Sequence, residues 1–171
     1  GVNGSYSGHV RIYYWNGTSW VQRGGDIDGE ATSDQSGMSV ALSADGNVVA
    51  IGAYANDGNG AQSGHTRIYV WNGTSWVQRG VDIDGEAGGD LSGYSVALSA
   101  DGTVVAIGAY ENSGNGTNSG HVRIYVWNGT SWVKRGNDID GEAAGDRSGI
   151  SVSISADGSI VLIGASYNDG N

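Results

Sequence analysis

The sequence contains no proline, no cysteine and no phenylalanine, and each absence narrows the class of protein. Without cysteine there is neither a disulfide framework nor thiol chemistry. Without proline or a Gly-X-Y period, the 32 glycines indicate neither collagen nor a Pro-rich disordered chain. Only eight residues are Lys or Arg, and the net charge of −10 argues against nucleic acid and anionic membranes as partners. No apolar run approaches the roughly 18 residues that membrane insertion needs.

The feature that organises the chain is a repeat of 56 residues. Ser7-Gly8-His9 returns at 63–65 and at 119–121, and residues 7–62 are identical to 63–118 at 44 of 56 positions. Such identity is typical of recent duplication, of an engineered chain or of a fragment of a longer array. The sequence predicts one repeat domain over 1–171. Its repeats lie at about 7–62, 63–118 and 119–171, and the N-terminal residues complete the last one.

Turn signals divide each repeat into four short strands. In the first complete copy, strand A is predicted over 39–43, strand B over 48–53, strand C over 66–71 and strand D over 75–79. Asp45-Gly46 joins A to B and Asn72-Gly73 joins C to D. Both dipeptides tolerate the positive φ of tight hairpin turns. The abundance of Val, Ile, Tyr, Trp, Gly, Asn and Ser agrees with an all-β fold rich in turns.

The apolar pattern favours sheets that are buried on both faces. Strand B is apolar throughout, and strand C places Ile68 and Val70 on one face and Tyr69 and Trp71 on the other. A sheet with one solvated face alternates apolar and polar residues, whereas propeller blades are covered by their neighbours. We therefore predict a β-propeller with blades of four antiparallel strands, three repeats per chain. A β-trefoil and a β-prism are the alternatives.

These motifs resemble the FG-GAP repeats of integrin α-chain propellers and of many bacterial surface proteins. The segments at 92–97, 101–102, 107–109 and 120–125 carry the resemblance. Serine at 36, 92 and 148 replaces the family's Phe, and Tyr, Tyr and Ser at 54, 110 and 166 replace its Pro. The resemblance implies a non-catalytic binding, adhesion or scaffold module. It also implies an extracellular or cell-surface location.

The order of the strands predicts a homo-oligomer. Strands C and D at 9–24 and strands A and B at 150–165 are complementary halves of one blade. Because propellers contain about four to eight blades, three blades cannot close a ring. We expect two chains to form six blades, or three chains to form nine, through shared blades. A protein or a glycan ligand is the further kind of partner we consider.

Acidic residues concentrate in the loop between strands D and A. Carboxylates around a glycine are typical of Ca²⁺ ligands, so these loops are weak calcium candidates. Alternatively, the carboxylates accept backbone N–H bonds and shape the crossover. The calcium sites of the resembling family lie in the A–B hairpin, which here is too short and too poor in carboxylates to carry them over. The candidates are Asp26, Asp28, Glu30, Asp34, Asp82, Asp84, Glu86, Asp90, Asp138, Asp140, Glu142 and Asp146.

Two other residue types carry weaker signals. The paired tryptophans of each C–D hairpin stabilise it by cross-strand packing, but exposed Trp also stacks on sugars, so a carbohydrate-binding lectin is an alternative function. The histidines at 9, 65 and 121 begin strand C without metal-ligand spacing. We interpret them as strand-end residues hydrogen-bonded to a neighbouring loop. No nucleophile motif or phosphate loop is present, so no enzymatic activity is expected.

The repeats differ from each other mainly in loops at one end of the predicted sheets. Differences between the first two copies cluster at 32, 33, 35 and 38 and at 55, 57, 61 and 62. These positions lie in the D–A crossover and in the B–C loop, which a meander places at the same end of the sheet. Variable loops on a constant scaffold are typical of a binding face, or of loops that tolerate change. Because this end is acidic, we expect cationic or hydroxyl-rich ligands.

Overall fold

The computed structural model of the protein describes residues 3–170, and the all-β prediction is confirmed over that range. No helix among these residues is of a length and apolarity that would let it cross a membrane. Sixteen strands follow one another: β1 (His9–Val10), β2 (Tyr13–Trp15), β3 (Trp20–Gln22), β4 (Ile27–Asp28), β5 (Ser39–Leu42), β6 (Val48–Ala53), β7 (His65–Trp71), β8 (Trp76–Gln78), β9 (Ile83–Asp84), β10 (Ser95–Leu98), β11 (Val104–Ala109), β12 (His121–Trp127), β13 (Trp132–Lys134), β14 (Ile139–Asp140), β15 (Ser151–Ile154) and β16 (Val161–Gly164).

Two antiparallel four-stranded meanders occupy the middle of the chain. The first contains β5, β6, β7 and β8 in that order, and the second contains β10, β11, β12 and β13. They correspond to the predicted strands A to D, with ends that differ by one residue. β6 and β11 are buried along their whole length. This confirms that strand B is covered on both faces.

Each meander also carries a two-residue strand that the sequence did not indicate. β9 pairs with the start of β7, where His65 lies opposite Asp84 and Thr66 opposite Ile83. β14 pairs with β12 in the same way. Ile83 is buried in the core between the meanders. The acidic segment is therefore not only a loop, because its isoleucine is a core residue. Two residues are too few to show a strand period.

Incomplete sheets lie on either side of the two meanders. On one side, β2 pairs with β3 and β1 pairs with β4, which matches strands C and D. On the other side, β15 pairs with β16, which matches strands A and B. The predicted distribution of half-sheets is thus present. Ring closure and the number of blades remain predictions.

The sheets stack face to face, and the core lies between them. Val48, Ala50 and Ile68 of the first meander belong to one buried cluster with Val105 and Ile107 of the second. Similar clusters join each meander to the neighbouring half-sheet. Full burial of a Val or Ile side chain stabilises a fold by about 1.5–3 kcal/mol. Stacking of the sheets is therefore the main source of stability.

Hydrogen bonds between main-chain groups one repeat apart fix the stacking. The amide of Ala44 donates to the carbonyl oxygen of Ala100, and the amide of Ala100 donates to that of Ala156, each at 2.8 Å. The hydroxyl of Ser39 donates to the carbonyl oxygen of Gly93 at 2.6 Å. Ser95 donates to the carbonyl oxygen of Gly149 in the same way, at 2.7 Å. Because the same bonds recur from repeat to repeat, each repeat presents the same surface to the next one.

The tryptophan pairs close the junctions between sheets. Nε1 of Trp76 donates to the carbonyl oxygen of Arg23 at 2.7 Å, and the Arg23 guanidinium lies 4.8 Å from the ring centroid of Trp71. Gly24, with φ of +81°, permits this packing, because a Cβ there would lie 2.8 Å from the Trp71 ring. Trp132 makes the equivalent bond at the next junction. These tryptophans therefore have a packing role.

Candidate functional site

The D–A crossover and the B–C loop of each repeat meet at one end of the sheets, as predicted. Nδ2 of Asn112, in the loop after β11, donates to Oδ2 of Asp90, in the crossover before β10, at 3.0 Å. Asp90 and Asn112 are 5% and 6% exposed. The same bond, again at 3.0 Å, joins Asn56 to Asp34 and Asn168 to Asp146. We call each of these pairs an Asp–Asn clasp.

The clasps define the role of one carboxylate in each acidic loop. Oδ2 of Asp90 also accepts the backbone N–H of Ala87 at 3.0 Å. Asp34 and Asp146 accept the equivalent backbone N–H groups. These three aspartates are buried and serve the turn geometry that the sequence offered as the alternative to calcium.

Two clefts open beside the clasps. One is lined by the crossover after β9 and by the loop after β11, including Glu86, Gly88 and Glu111. The other is lined by the equivalent segments after β14 and β16, including Tyr167 and Asp169. Positions that differ between copies line both clefts, so their walls differ while the clasps beneath them are the same.

A row of tyrosines lies at the same end of the sheets. The ring centroids of Tyr54 and Tyr94 are 5.5 Å apart, and those of Tyr94 and Tyr110 are 4.5 Å apart, both pairs packed edge to face. Burial raises the pKa of Tyr110, which keeps its hydroxyl neutral. This row was not predicted from the sequence. The available signal was the replacement of the family's Pro by Tyr at 54 and 110.

Arg147 lies against this aromatic surface. Its guanidinium carbon is 4.6 Å from the ring centroid of Tyr167 and 5.7 Å from that of Tyr110. Its Nη2 is 3.9 Å from a carboxylate oxygen of Glu111. The equivalent positions in the other two repeats are Gln35 and Leu91. This end of the molecule therefore presents aromatic faces together with carboxylates, and one of the chain's own arginines already uses both.

The histidines lie at the junctions between repeats. Nδ1 of His65 is 3.6 Å from a carboxylate oxygen of Asp82 and 3.9 Å from one of Glu30, which belongs to the preceding repeat. Nη1 of Arg67 is 3.2 Å from the other oxygen of Glu30. His65 thus faces a neighbouring loop as expected. The distances are those of electrostatic contacts, too long for the hydrogen bond we expected.

The next junction repeats this cluster. Nδ1 of His121 lies 4.0 Å from Glu86, and Nη1 of Arg123 lies 3.7 Å from the same carboxylate. Lys134 pairs with Asp138 at 2.5 Å. Among residues 3–170, possible metal-ligating side chains converge in threes at these two junctions, where Glu30, His65 and Asp82 meet and where Glu86, His121 and Asp138 meet. The arginines already supply positive charge to both clusters.

Burial lowers the pKa of both junction histidines. His65 and His121 are each 1% exposed. Desolvation of the charged imidazole is the largest cause, and the adjacent Arg67 and Arg123 add to it, whereas the nearby carboxylates oppose it. The net direction is downward, so both imidazoles are neutral at physiological pH.

The remaining acidic candidates occupy separate positions. Asp26 and Asp82 accept the side-chain amides of the glutamines that end β3 and β8, at 2.7 and 2.5 Å. Asp84 and Asp140 end short strands with exposed side chains, and Glu142 is exposed in the last crossover. The structure therefore does not gather the four carboxylates of one loop around a single point. These carboxylates remain the weak calcium candidates that the sequence indicates.

Stacked meander sheets, joined at equivalent positions one repeat apart, define an all-β repeat protein. The sequence profile of the FG-GAP repeat family matches residues 27–70 and 78–125. These segments make up more than half of the chain, which therefore belongs to the FG-GAP repeat family. Membership confirms the resemblance seen in the motifs and indicates a β-propeller-type binding or adhesion module. None of the curated proteins compared with the sequence matches it.

Proposed function

We propose that the protein is a non-catalytic recognition module that binds basic polypeptide segments at the loop end of its sheets. One observation carries the proposal: the differences between otherwise near-identical repeats line two neighbouring clefts beside a row of tyrosines. The stacking faces are nearly constant between copies, so these differences have little bearing on the fold. A constant scaffold with variable loops is the usual design of a binding protein.

The chemistry of this end favours a basic ligand. Exposed carboxylates line both clefts, and Tyr167 is 57% exposed beside one of them. Arginine recognises such surfaces by stacking on the ring and pairing with the carboxylate. Arg147 makes both contacts within the chain, with Tyr167 and Glu111. In the other cleft, Glu111 stands at the position equivalent to Tyr167 and, with Glu86, offers carboxylates to a ligand arginine.

The absence of catalysis is part of this proposal. The strongest candidates for acid–base chemistry are His65 and His121, and both are 1% exposed inside junctions between sheets. A substrate in either cleft would not reach them. Their neutral state also serves the packing of the junction, because a buried imidazolium is costly.

The proposal is tested with short peptides of equal length that carry Arg, Lys, Gln or Glu at alternate positions. Binding is measured by fluorescence anisotropy at low and at high salt. We expect the Arg peptide to bind most tightly, the Glu peptide not to bind, and high salt to weaken binding. The variant Glu111→Gln with Asp169→Asn should lose about tenfold or more in affinity, because each cleft loses a carboxylate.

A matched control separates the site from net charge. Thr74→Lys with Thr130→Lys raises the net charge by the same amount, but at the exposed turns of the C–D hairpins. This control should keep most of the affinity. Equal losses in the two double variants would show that binding is nonspecific attraction to an acidic protein. A glycan array is run in parallel. If glycans bind and no peptide does, the lectin alternative replaces this proposal.

A further inference from the structure

We infer that two copies of the chain complete each other's half-sheets, so that β16 of one copy pairs with β1 and β2 of its partner. Two such junctions close a ring of six four-stranded sheets, which lies within the usual range of about four to eight. The inference does not rest on the proposed ligand face, because it concerns the edges and faces of the strands and not the loops at their ends.

The complete meanders define the register of the missing pairing. In them, β6 lies beside β7 with Val48 opposite Val70, Val49 opposite Tyr69 and Ala50 opposite Ile68, and β11 lies beside β12 in the same register. Transferred by the repeat spacing, the junction between copies places Ile160 opposite the partner's Tyr14. It also places Val161 opposite the partner's Tyr13, and Leu162 opposite the partner's Ile12.

The open face of β16 is strongly apolar. Ile160 and Leu162 are 69% and 72% exposed, whereas the equivalent Val48 and Ala50 of the first meander are 4% and 0% exposed. Solvent-facing edge strands normally carry Lys, Pro or other protective residues. This edge carries larger apolar side chains than its buried counterparts, which indicates that another surface covers it.

The opposite side of the molecule has an apolar groove that matches the apolar face of β16. Val10, Ile12, Val40 and Leu42 line a groove between the first half-sheet and β5. Val40 and Leu42 are 54% and 51% exposed. In the next repeat, the equivalent of Val40 is 9% exposed, because β10 packs against β6. The groove is therefore the place that a preceding sheet would occupy, and β16 of a second copy has the strand type that fits it.

The junction beyond the second meander, around Ile139, also lacks part of its packing. Ile139 is 40% exposed, whereas the equivalent Ile27 and Ile83 are 6% and 5% exposed. It lines a groove with Arg135 in the position where the other junctions hold a tryptophan. At the far side of the molecule, Trp20 is 68% exposed. In the two-chain ring, the indole of the partner's Trp20 donates to the Arg135 carbonyl oxygen, as Trp76 does to Arg23.

Charge completes the complementarity. Each internal junction joins a glutamate of one repeat to a histidine and an arginine of the next. Glu142 is the third such glutamate and is exposed. At the other edge, His9 and Arg11 are exposed as well. Pairing between copies brings Glu142 to the partner's His9 and Arg11, so a third junction cluster forms that residues 3–170 of one copy do not form by themselves.

Within residues 3–170, the open edges of one copy are not paired with each other. Pairing β16 with β1 and β2 of the same copy would close a ring of three sheets, below the range of about four to eight that propellers adopt. A symmetric pairing of β16 with β16 of another copy would leave the groove beside β5 open. A head-to-tail arrangement of copies fills both open surfaces, and with two copies the number of sheets stays within the usual range.

The first test is the mass of the native chain by native mass spectrometry and light scattering. We expect twice the chain mass of 17.5 kDa. Leu162→Asp should weaken the dimer by about 100-fold or more, because the side chain becomes buried in the junction. The matched control is Val81→Asp, at a side chain that is 79% exposed and replaced by Gly25 and Asn137 in the other copies. It should remain dimeric.

A cross-linking test fixes the register without relying on a disruptive variant. The chain has no cysteine, so Tyr13→Cys and Val161→Cys can be placed in separate chains. Residues directly opposite in an antiparallel pair lie within about 4.5–5.5 Å, which a disulfide spans. The oxidised mixture should give a covalent dimer, and neither variant should give one alone. Tyr14→Cys mixed with Val161→Cys should not cross-link, because neighbouring residues face opposite sides of the sheet.

The outcomes separate the alternatives. A monomer, a trimer or an open polymer overturns the two-chain ring, and a trimer that cross-links in this register keeps only the edge pairing. Cross-linking of either single variant with itself overturns the head-to-tail arrangement. Peptide binding by the Leu162→Asp monomer shows whether the proposed ligand face holds when the ring does not.

Discussion

The side-chain amide of Asn112 donates to the carboxylate of Asp90 at 3.0 Å, with both residues almost fully buried. This bond ties the loop after β11 to the crossover before β10, and its equivalents do the same in the other repeats. The variable clefts lie directly beside it. The Asp–Asn clasp therefore lets the loops differ in sequence while their positions stay fixed.

We predict that Asp90→Ala destabilises the fold by about 1–3 kcal/mol, because it leaves two donors without an acceptor, the buried Asn112 Nδ2 and the partly buried Ala87 N–H. The free energy of unfolding is measured by urea titration. Asp84→Ala is the control, since that side chain is exposed in the same acidic segment, and it should change stability by less than about 0.5 kcal/mol. Equal effects of the two substitutions would show that the clasp has no special role.

A second prediction concerns the A–B hairpin. The hydroxyl of Ser43 donates to Asp45 at 2.6 Å and the Asn47 N–H donates to it at 2.9 Å, and these bonds lower the pKa of Asp45 to about 2. The resulting stabilisation is complete above the ordinary value of 3.8 and is lost as the pH falls through about 2. An NMR titration should find Asp45 still ionised at about pH 3.

Ser43→Ala tests the cause of that shift. It removes the hydrogen bond that lowers the Asp45 pKa most, and should move that pKa upward toward 3.8. Asp157, whose pKa is lowered to about 2 by Ser155 and Ser159, reports from the equivalent hairpin of the same molecule and should not move. A midpoint near 3.8 for Asp45 in the unmodified chain would contradict the prediction.

The hairpins and strands were predictable from sequence because their signals are local. Asp45-Gly46 marks a turn by itself, and an apolar run such as 48–53 indicates a strand covered on both faces. Joining Asp90 to Asn112, or His65 to Glu30, requires knowledge of which segments become neighbours. The two-residue β9 has no period of its own. The tyrosine row combines three separate segments from two repeats, so no single stretch of sequence displays it.

A third prediction concerns acid stability. Burial lowers the pKa of His65 and His121 in the folded state, while in the unfolded chain each titrates near its ordinary value of 6.5. The unfolded chain therefore takes up protons first as the pH falls. The stability that comes from neutral, buried imidazoles is complete above pH 6.5 and decreases below it.

The double variant His65→Gln with His121→Gln isolates this effect. Between pH 8 and pH 5, the free energy of unfolding should fall less in the variant than in the unmodified chain, because the variant lacks the two groups whose protonation favours the unfolded state. Carboxylate titration contributes to both proteins and cancels in the comparison. Parallel pH profiles would show that the histidines are solvated in solution.

The last prediction is that calcium leaves the melting temperature unchanged within about 1 °C. In the segment that follows β3, the carboxylates already have partners. Asp34 accepts a hydrogen bond from Asn56, and Asp26 accepts one from Gln22. Glu30 is paired with Arg67. A cation would have to displace these partners and approach a guanidinium. A site with calcium at a hundredfold excess over its Kd would instead stabilise the fold by about 2.7 kcal/mol, which is roughly 5–10 °C for a chain of this size.

Melting curves with calcium and with chelator decide between these outcomes. A calcium-dependent rise that Glu86→Gln abolishes would place the cation in the junction cluster, where Glu86, His121 and Asp138 converge. A rise abolished by Asp140→Asn, but kept in Glu86→Gln, would place it in the short-strand loop. If neither calcium nor chelator moves the curve, the acidic loops act through their hydrogen bonds and their charge, which are the properties that a basic ligand would meet.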